Sequence, residues 1–148
     1  EIKSVDFTGK TVVIRSTSGT QGLVNVDKNK AKEVIAGSFM GVKAIVDYIK
    51  TKNPEQVTLV SLDNVGQGRA VEDYVCAECI RDLLEGKDID YNIIFQKIRD
   101  SPAASDRFFD ETKTHSPVED FHLCLKFNMF DFAILYDPEK NVLTQQKS

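Results

Sequence analysis

The chain has 148 residues, 41% of them hydrophobic, enough for one sizeable core and too few for several independent domains. Its formal net charge is −4, with acidic and basic residues interspersed and no basic block threaded by aromatics, which argues against nucleic acid as a partner. No apolar run approaches the roughly 20 residues of a membrane span, and three cysteines form an odd, sparse set suited to a reducing compartment; a cytoplasmic protein without membrane partners is expected.

The first apolar run, Thr11 to Arg15, predicts a strand covered on both faces, as do Glu33 to Ala36 and Gln56 to Leu62. Helical patterns separate them. Val42, Ile45, Val46 and Ile49 recur at three- and four-residue spacing, and Asn53-Pro54 ends that helix, giving strand, helix and strand at βαβ spacing. The turn-rich loop Asp63 to Gly68 leads into a helix from about Arg69 to Glu85, whose apolar side is Val71, Val75, Cys79, Ile80, Leu83 and Leu84 and whose stop is Gly86. Tyr91 to Ile98 predicts another helix with Ile93, Ile94 and Ile98 inward. Ser101 to Thr114 reads as helix and loop anchored by Phe108 and Phe109. Pro117 suits the first turn of a helix with Phe121, Cys124 and Leu125 on its inner face. A strand from Phe130 to Tyr136, the turn Asp137-Pro138 and a short Val142-Leu143 strand follow. The alternation predicts a single α/β domain over residues 1–148, a layered α/β/α arrangement around a mostly parallel sheet.

In open α/β sheets, ligands gather beyond the carboxyl ends of strands. Two turns take that position. Ser16-Thr17-Ser18-Gly19-Thr20 offers hydroxyls, consecutive backbone N–H groups and a glycine that admits close approach, with Arg15 adding a guanidinium fork; the set suits phosphate, sulfonate or carboxylate. The same residue types also suit a helix cap and a tight turn. The second turn, Gly66-Gln67-Gly68-Arg69-Ala70-Val71, begins like a dinucleotide fingerprint but has Val71 at the third glycine, and no Walker A loop is present. Glu72 and Asp73 then open the helix. They either complement its dipole or supply hard oxygen donors to Mg²⁺, although adjacent helical residues point about 100° apart.

Other motifs carry less. Cys76-Ala77-Glu78-Cys79 lies within a helix without a second pair, favouring core packing over zinc or redox chemistry. Asp88-Ile89-Asp90 imitates an aspartyl-phosphate nucleophile but follows a helix rather than a strand. His115 and His122 lack partners at ligand spacing and read as surface residues.

The order of motifs resembles that of the 2-phosphosulfolactate phosphatases. "GKTVVIRSTSGTQGL" is similar to their strand running into Thr-Thr-Asn-Gly-Thr. "EVIAGSFMGVKAIVDYI" resembles their next strand and helix, "VTLVSLDNVGQGRAVEDYVCAECIRDLL" the strand, loop, Glu-Asp pair and helix after it, and "EDFHLCLKFNMFDFAILYD" the terminal helix and strand. The resemblance implies a Mg²⁺-dependent phosphatase converting 2-phospho-3-sulfolactate to 3-sulfolactate and phosphate, a step toward coenzyme M. It implies that Arg15, Ser16, Thr17, Ser18, Gly19 and Thr20 hold one anionic group of the small substrate. Gly68 and Arg69 would then form a second anion contact, and Glu72 or Asp73 would hold Mg²⁺. Ser18 stands where the family has Asn, and nothing here matches the family's N-terminal Asp-x-Leu-Arg-Ala-Thr motif. The chain therefore reads as the C-terminal part of a longer phosphatase, with a homodimer or a further N-terminal segment completing it. The alternative reading is a non-catalytic α/β module that binds an anionic metabolite or a protein partner.

Overall fold

The computed structural model describes residues 5–13, 16, 18–27, 29–62, 70–110, 112 and 116–147. Ile14, Arg15, Thr17, the second turn from Asp63 to Arg69 and His115 lie outside them. Among the described residues, six α-helices and three strands follow in the order α1 (Gly19–Val24), β1 (Ile35–Ala36), α2 (Val42–Lys52), α3 (Val71–Leu84), α4 (Tyr91–Arg99), α5 (Pro102–Phe108), α6 (Val118–Cys124), β2 (Phe132–Asp137) and β3 (Val142–Lys147), with a 3-10 turn, Phe39–Gly41, before α2.

The central helix is α2, as its spacing predicts. Val42, Ile45, Val46 and Ile49 are all buried, and the helix packs on α3 and β2. Its start is fastened from far along the chain: Asn128 Oδ1 accepts the Lys43 N–H at 3.0 Å. The Asn128 N–H donates to the Phe39 carbonyl at 3.2 Å and the Phe130 N–H to the Met40 carbonyl at 3.0 Å, so the segment before β2 clasps the first turn of α2. The approach is close enough that a Cβ at Gly41 would lie 3.3 Å from the Phe132 carbonyl oxygen. Asn53, in the left-handed region at φ 43°, ends the helix before Pro54.

Helix α3 turns Val75, Cys76, Cys79 and Ile80 onto the core. Its end is set by Gly86 at φ 79°, with the Gly86 N–H donating to the Leu83 carbonyl and the Lys87 N–H to the Asp82 carbonyl, the paired bonds of a left-handed helix stop. Asp90 begins α4, its Oδ1 accepting the Asn92 N–H at 2.9 Å, which accounts for the false nucleophile motif. Asp90→Ala is expected to lower stability by about 1 kcal/mol in urea unfolding; an unmoved midpoint would show the cap to be idle. On α4 Ile98 is buried, but Ile93 is 63% exposed, correcting its inward assignment. In α5, Ser101 Oγ accepts the Ala104 N–H and Pro102 fills the first turn. Pro117 precedes α6 as its cap, and Phe121 and Leu125 are buried there while Cys124 is exposed.

The sheet differs from the expected one. Among the described residues its order is β1-β2-β3 with both pairings antiparallel: Ile35 opposes Leu135, and Phe132 through Asp137 oppose Lys147 through Val142. The fold is mixed α/β, but a layered α/β/α arrangement on a mostly parallel sheet is not supported. The hairpin explains the antiparallel part. Asp137 Oδ1 accepts the N–H groups of Glu139 and Lys140, and Asn141 takes φ 55°, so the four residues 138–141 reverse the chain and β3 runs back beside β2. Residues 11–13 and 57–62 are not assigned to strands. A parallel ladder needs a neighbouring strand brought in by a crossover, and an apolar run does not supply one.

Candidate functional site

The first turn is closed by a reciprocal clasp. Ser16 Oγ accepts the Thr20 N–H at 2.9 Å, while Thr20 Oγ1 accepts the Ser16 N–H at 3.3 Å and donates to the Ser16 carbonyl at 2.9 Å. These bonds tie the chain two residues before the N-cap to the second residue of α1, while Ser18, the N-cap, makes no side-chain cap bond. Gly19 sits against the clasp, since a Cβ there would lie 3.1 Å from Ser16 Oγ. Thus Ser16, Ser18, Gly19 and Thr20 share one turn at the start of α1, with the Ser16 and Thr20 hydroxyls engaged by backbone. Arg15 and Thr17 lie outside the described residues.

The residue leading into the second turn is adjacent. Gly22 of α1 packs directly on Leu62, the last described residue before that turn; a Cβ at Gly22 would collide with the Leu62 side chain. The residues flanking the two turns are therefore neighbours although 40 positions apart in the chain, a juxtaposition that no local pattern in the sequence contains. Gly68 and Arg69 lie outside the described residues.

Glu72 and Asp73 lie in the first turn of α3, where negative charge is favoured. Glu72 Oε1 accepts from Arg107 Nη1 of α5 at 3.2 Å, with both side chains partly exposed, 36% and 54%. Sequence reasoning missed Arg107: a partner 35 residues away leaves no periodic signal. Both carboxylates are oxygen donors of the sort Mg²⁺ takes singly or in pairs, with water and substrate oxygens completing the shell. The pairing with Arg107 sets a guanidinium in competition with any cation at Glu72. Among the described residues no three His, Cys, Asp or Glu side chains converge as a metal site. Those residues alone do not compose one.

Elsewhere the chemistry is structural. A cleft of about 210 Å³ between α3 and α4 is lined by Glu78, Asp82, Asp88, Asp90 and Lys97. Lys97 Nζ donates to Glu78 across it at 2.9 Å, and hydrogen bonds from Lys87 and then Arg81 hold the Asp82 carboxyl below its usual range. A second cleft, about 360 Å³, lies between the end of α2, residues 57–59 and the end of α3. Neither is lined by the described residues of the first turn. Cys76 and Cys79 are free, buried thiols. Burial, the main cause, pushes them from 9.0 up to about 12 and about 11 respectively. A raised thiol pKa stabilises the fold fully below pH 9, and that contribution is lost as pH climbs through about 11. Melting temperature is accordingly expected to fall between pH 8.5 and 11, and a Cys79→Ala variant to show a shallower fall; identical slopes would remove the thiol as cause. His122 is exposed, its ring stacked 6.0 Å from that of Phe95, which supports the surface reading.

No helix among the described residues is long and apolar enough to cross a membrane. A family model described as 2-phosphosulpholactate phosphatase matches residues 1–138. A probable 2-phosphosulfolactate phosphatase of Thermotoga maritima is 30% identical over 150 residues, covering 96% of this chain and 60% of the relative. One from Thermoplasma volcanium is 28% identical over 131 residues, 88% of this chain and 56% of the relative. The chain thus spans little more than half the length of these relatives. No solved structure matches it.

Proposed function

The chain belongs to the 2-phosphosulpholactate phosphatase family, and from that premise we propose that the whole protein is a phosphoric monoester hydrolase that converts 2-phospho-3-sulfolactate to 3-sulfolactate and phosphate. The observation that carries the reading is the family match over residues 1–138. Water attacks phosphorus, the bond from phosphorus to the ester oxygen breaks, and that oxygen leaves as the hydroxyl of sulfolactate after taking a proton. The substrate bears a phosphate, a sulfonate and a carboxylate, so binding it requires several separate anion contacts. The adjacency of the residues flanking the two turns, through Gly22 and Leu62, supports assigning those contacts to Arg15 with Ser16 to Thr20 and to Gly68 with Arg69.

Phosphoryl transfer of this kind rests on positioning and on neutralising charge in the transition state. Backbone N–H groups of the turns other than those of Ser16 and Thr20, together with the two arginines, would supply fixed positive potential. Mg²⁺ dependence is part of the proposal, with Glu72 or Asp73 holding the ion; when bound, Mg²⁺ neutralises charge on phosphoryl oxygens. The deciding experiment measures phosphate release from 2-phospho-3-sulfolactate, with Mg²⁺ and with a chelator, against phospholactate lacking the sulfonate. Release that requires Mg²⁺ and favours the sulfonated ester is expected. Absence of release from any phosphorylated sulfo- or hydroxy-acid would remove the assignment.

A further inference from the structure

Two of the runs predicted to be strands, at 11–13 and 57–62, are apolar and largely uncovered among the described residues. In 57–62, Leu59 packs on the core and Leu62 on Gly22, while Val57 is 39% and Val60 70% exposed. In 11–13, Val12 is 54% and Val13 89% exposed. Neither run is assigned to a ladder. Exposed β-branched side chains on segments outside any ladder form a surface that strand addition can cover. The edge of the existing sheet has a different character: β3 ends in Thr144-Gln145-Gln146-Lys147, polar and closed by a basic residue.

The lengths of the relatives say what belongs there. Single chains of Thermotoga maritima and Thermoplasma volcanium contain the region matched by this chain within 60% and 56% of their length, so each carries a further portion of the same polypeptide. We propose that residues 11–13 and 57–62 form a docking face for that further portion of the family fold, a strand-bearing segment that pairs with one or both runs and covers Val12, Val13, Val57 and Val60. The segment also lands beside the start of both turns, because 11–13 lead into the first and 57–62 into the second. It thereby completes the surroundings of the site as well as the core.

The inference rests on family membership, and its test separates it from the phosphatase reading. The 148-residue chain is mixed with a separately produced polypeptide comprising the part of the Thermotoga maritima relative that it does not match. Mass in solution and hydrogen exchange are then followed. A one-to-one complex is expected, with exchange at 11–13 and 57–62 slowed roughly tenfold or more; Val60→Lys should abolish the complex while the helical circular dichroism is retained. Unchanged exchange with that polypeptide in excess would overturn the proposal. So would protection that rises with the chain's own concentration at dimeric mass, which would assign the face to a second copy. Phosphate release is read in the same mixture: a complex that forms and does not turn the ester over upholds the docking face and counts against the phosphatase.

Discussion

Phe121→Ala is expected to lower the unfolding free energy by about 3 to 5 kcal/mol, the largest loss from a single substitution outside α2. Phe121 is 2% exposed and is the point at which α4, α5 and α6 meet. Its ring lies edge-on to Phe95 at 5.5 Å and to Phe109 at 5.1 Å, and tilted against Phe108 at 5.5 Å. Removing it takes away both the transfer energy of a large apolar side chain and three aromatic contacts, and leaves a void bounded by rings that cannot all collapse inward. Against a typical domain stability of about 5 to 15 kcal/mol the variant would be marginal at best. Denaturant unfolding checks the figure, with Phe109→Ala as comparison: Phe109 is 39% exposed, so it should cost less than half as much. Equal losses would mean that the cluster, and not Phe121, is the unit that matters.

That cluster illustrates what local sequence pattern carries. The spacing of Val42, Ile45, Val46 and Ile49, the stop at Gly86 and the proline at 117 place α2, the end of α3 and the start of α6 closely, because each signal acts within one or two turns of the chain, whereas α5 is only part of the stretch read as helix and loop from Ser101 to Thr114. The hairpin is legible for the same reason. Sheet membership is not: the run "VTLVSL" reads as a buried strand whether or not a neighbour exists, and Val60 shows the difference. In the candidate site, the Glu72-Asp73 pair and the hydroxyl-rich turn stand out by composition. The partner that occupies Glu72, Arg107, and the contact that sets Gly22 on Leu62 join residues 35 and 40 positions apart, and nothing within a single turn of chain encodes them.

The two readings of the first turn, helix cap and anion site, separate under two substitutions. Ser16→Ala removes the oxygen that accepts the Thr20 N–H at 2.9 Å and leaves the return bond from the Ser16 N–H to Thr20 Oγ1 in place. Two of the three clasp bonds then survive, and a loss of about 1 kcal/mol in stability is expected, with a small effect on substrate affinity. Arg15→Ala should do the reverse. A charge-assisted contact to a phosphate, sulfonate or carboxylate is worth about 1.5 to 3 kcal/mol, which is roughly a ten- to hundredfold loss of kcat/KM. Its effect on unfolding is expected to stay within about 0.5 kcal/mol. Gly19→Val combines the two, because its Cβ would press on Ser16 Oγ from 3.1 Å and its branches would stand where an anion approaches the backbone; stability and turnover should fall together. Thermal melts alongside kinetics of phosphate release read both axes. Should Arg15→Ala keep full kcat/KM while Ser16→Ala melts early, the turn is a helix cap and nothing more, and the substrate's anions must be held by groups elsewhere.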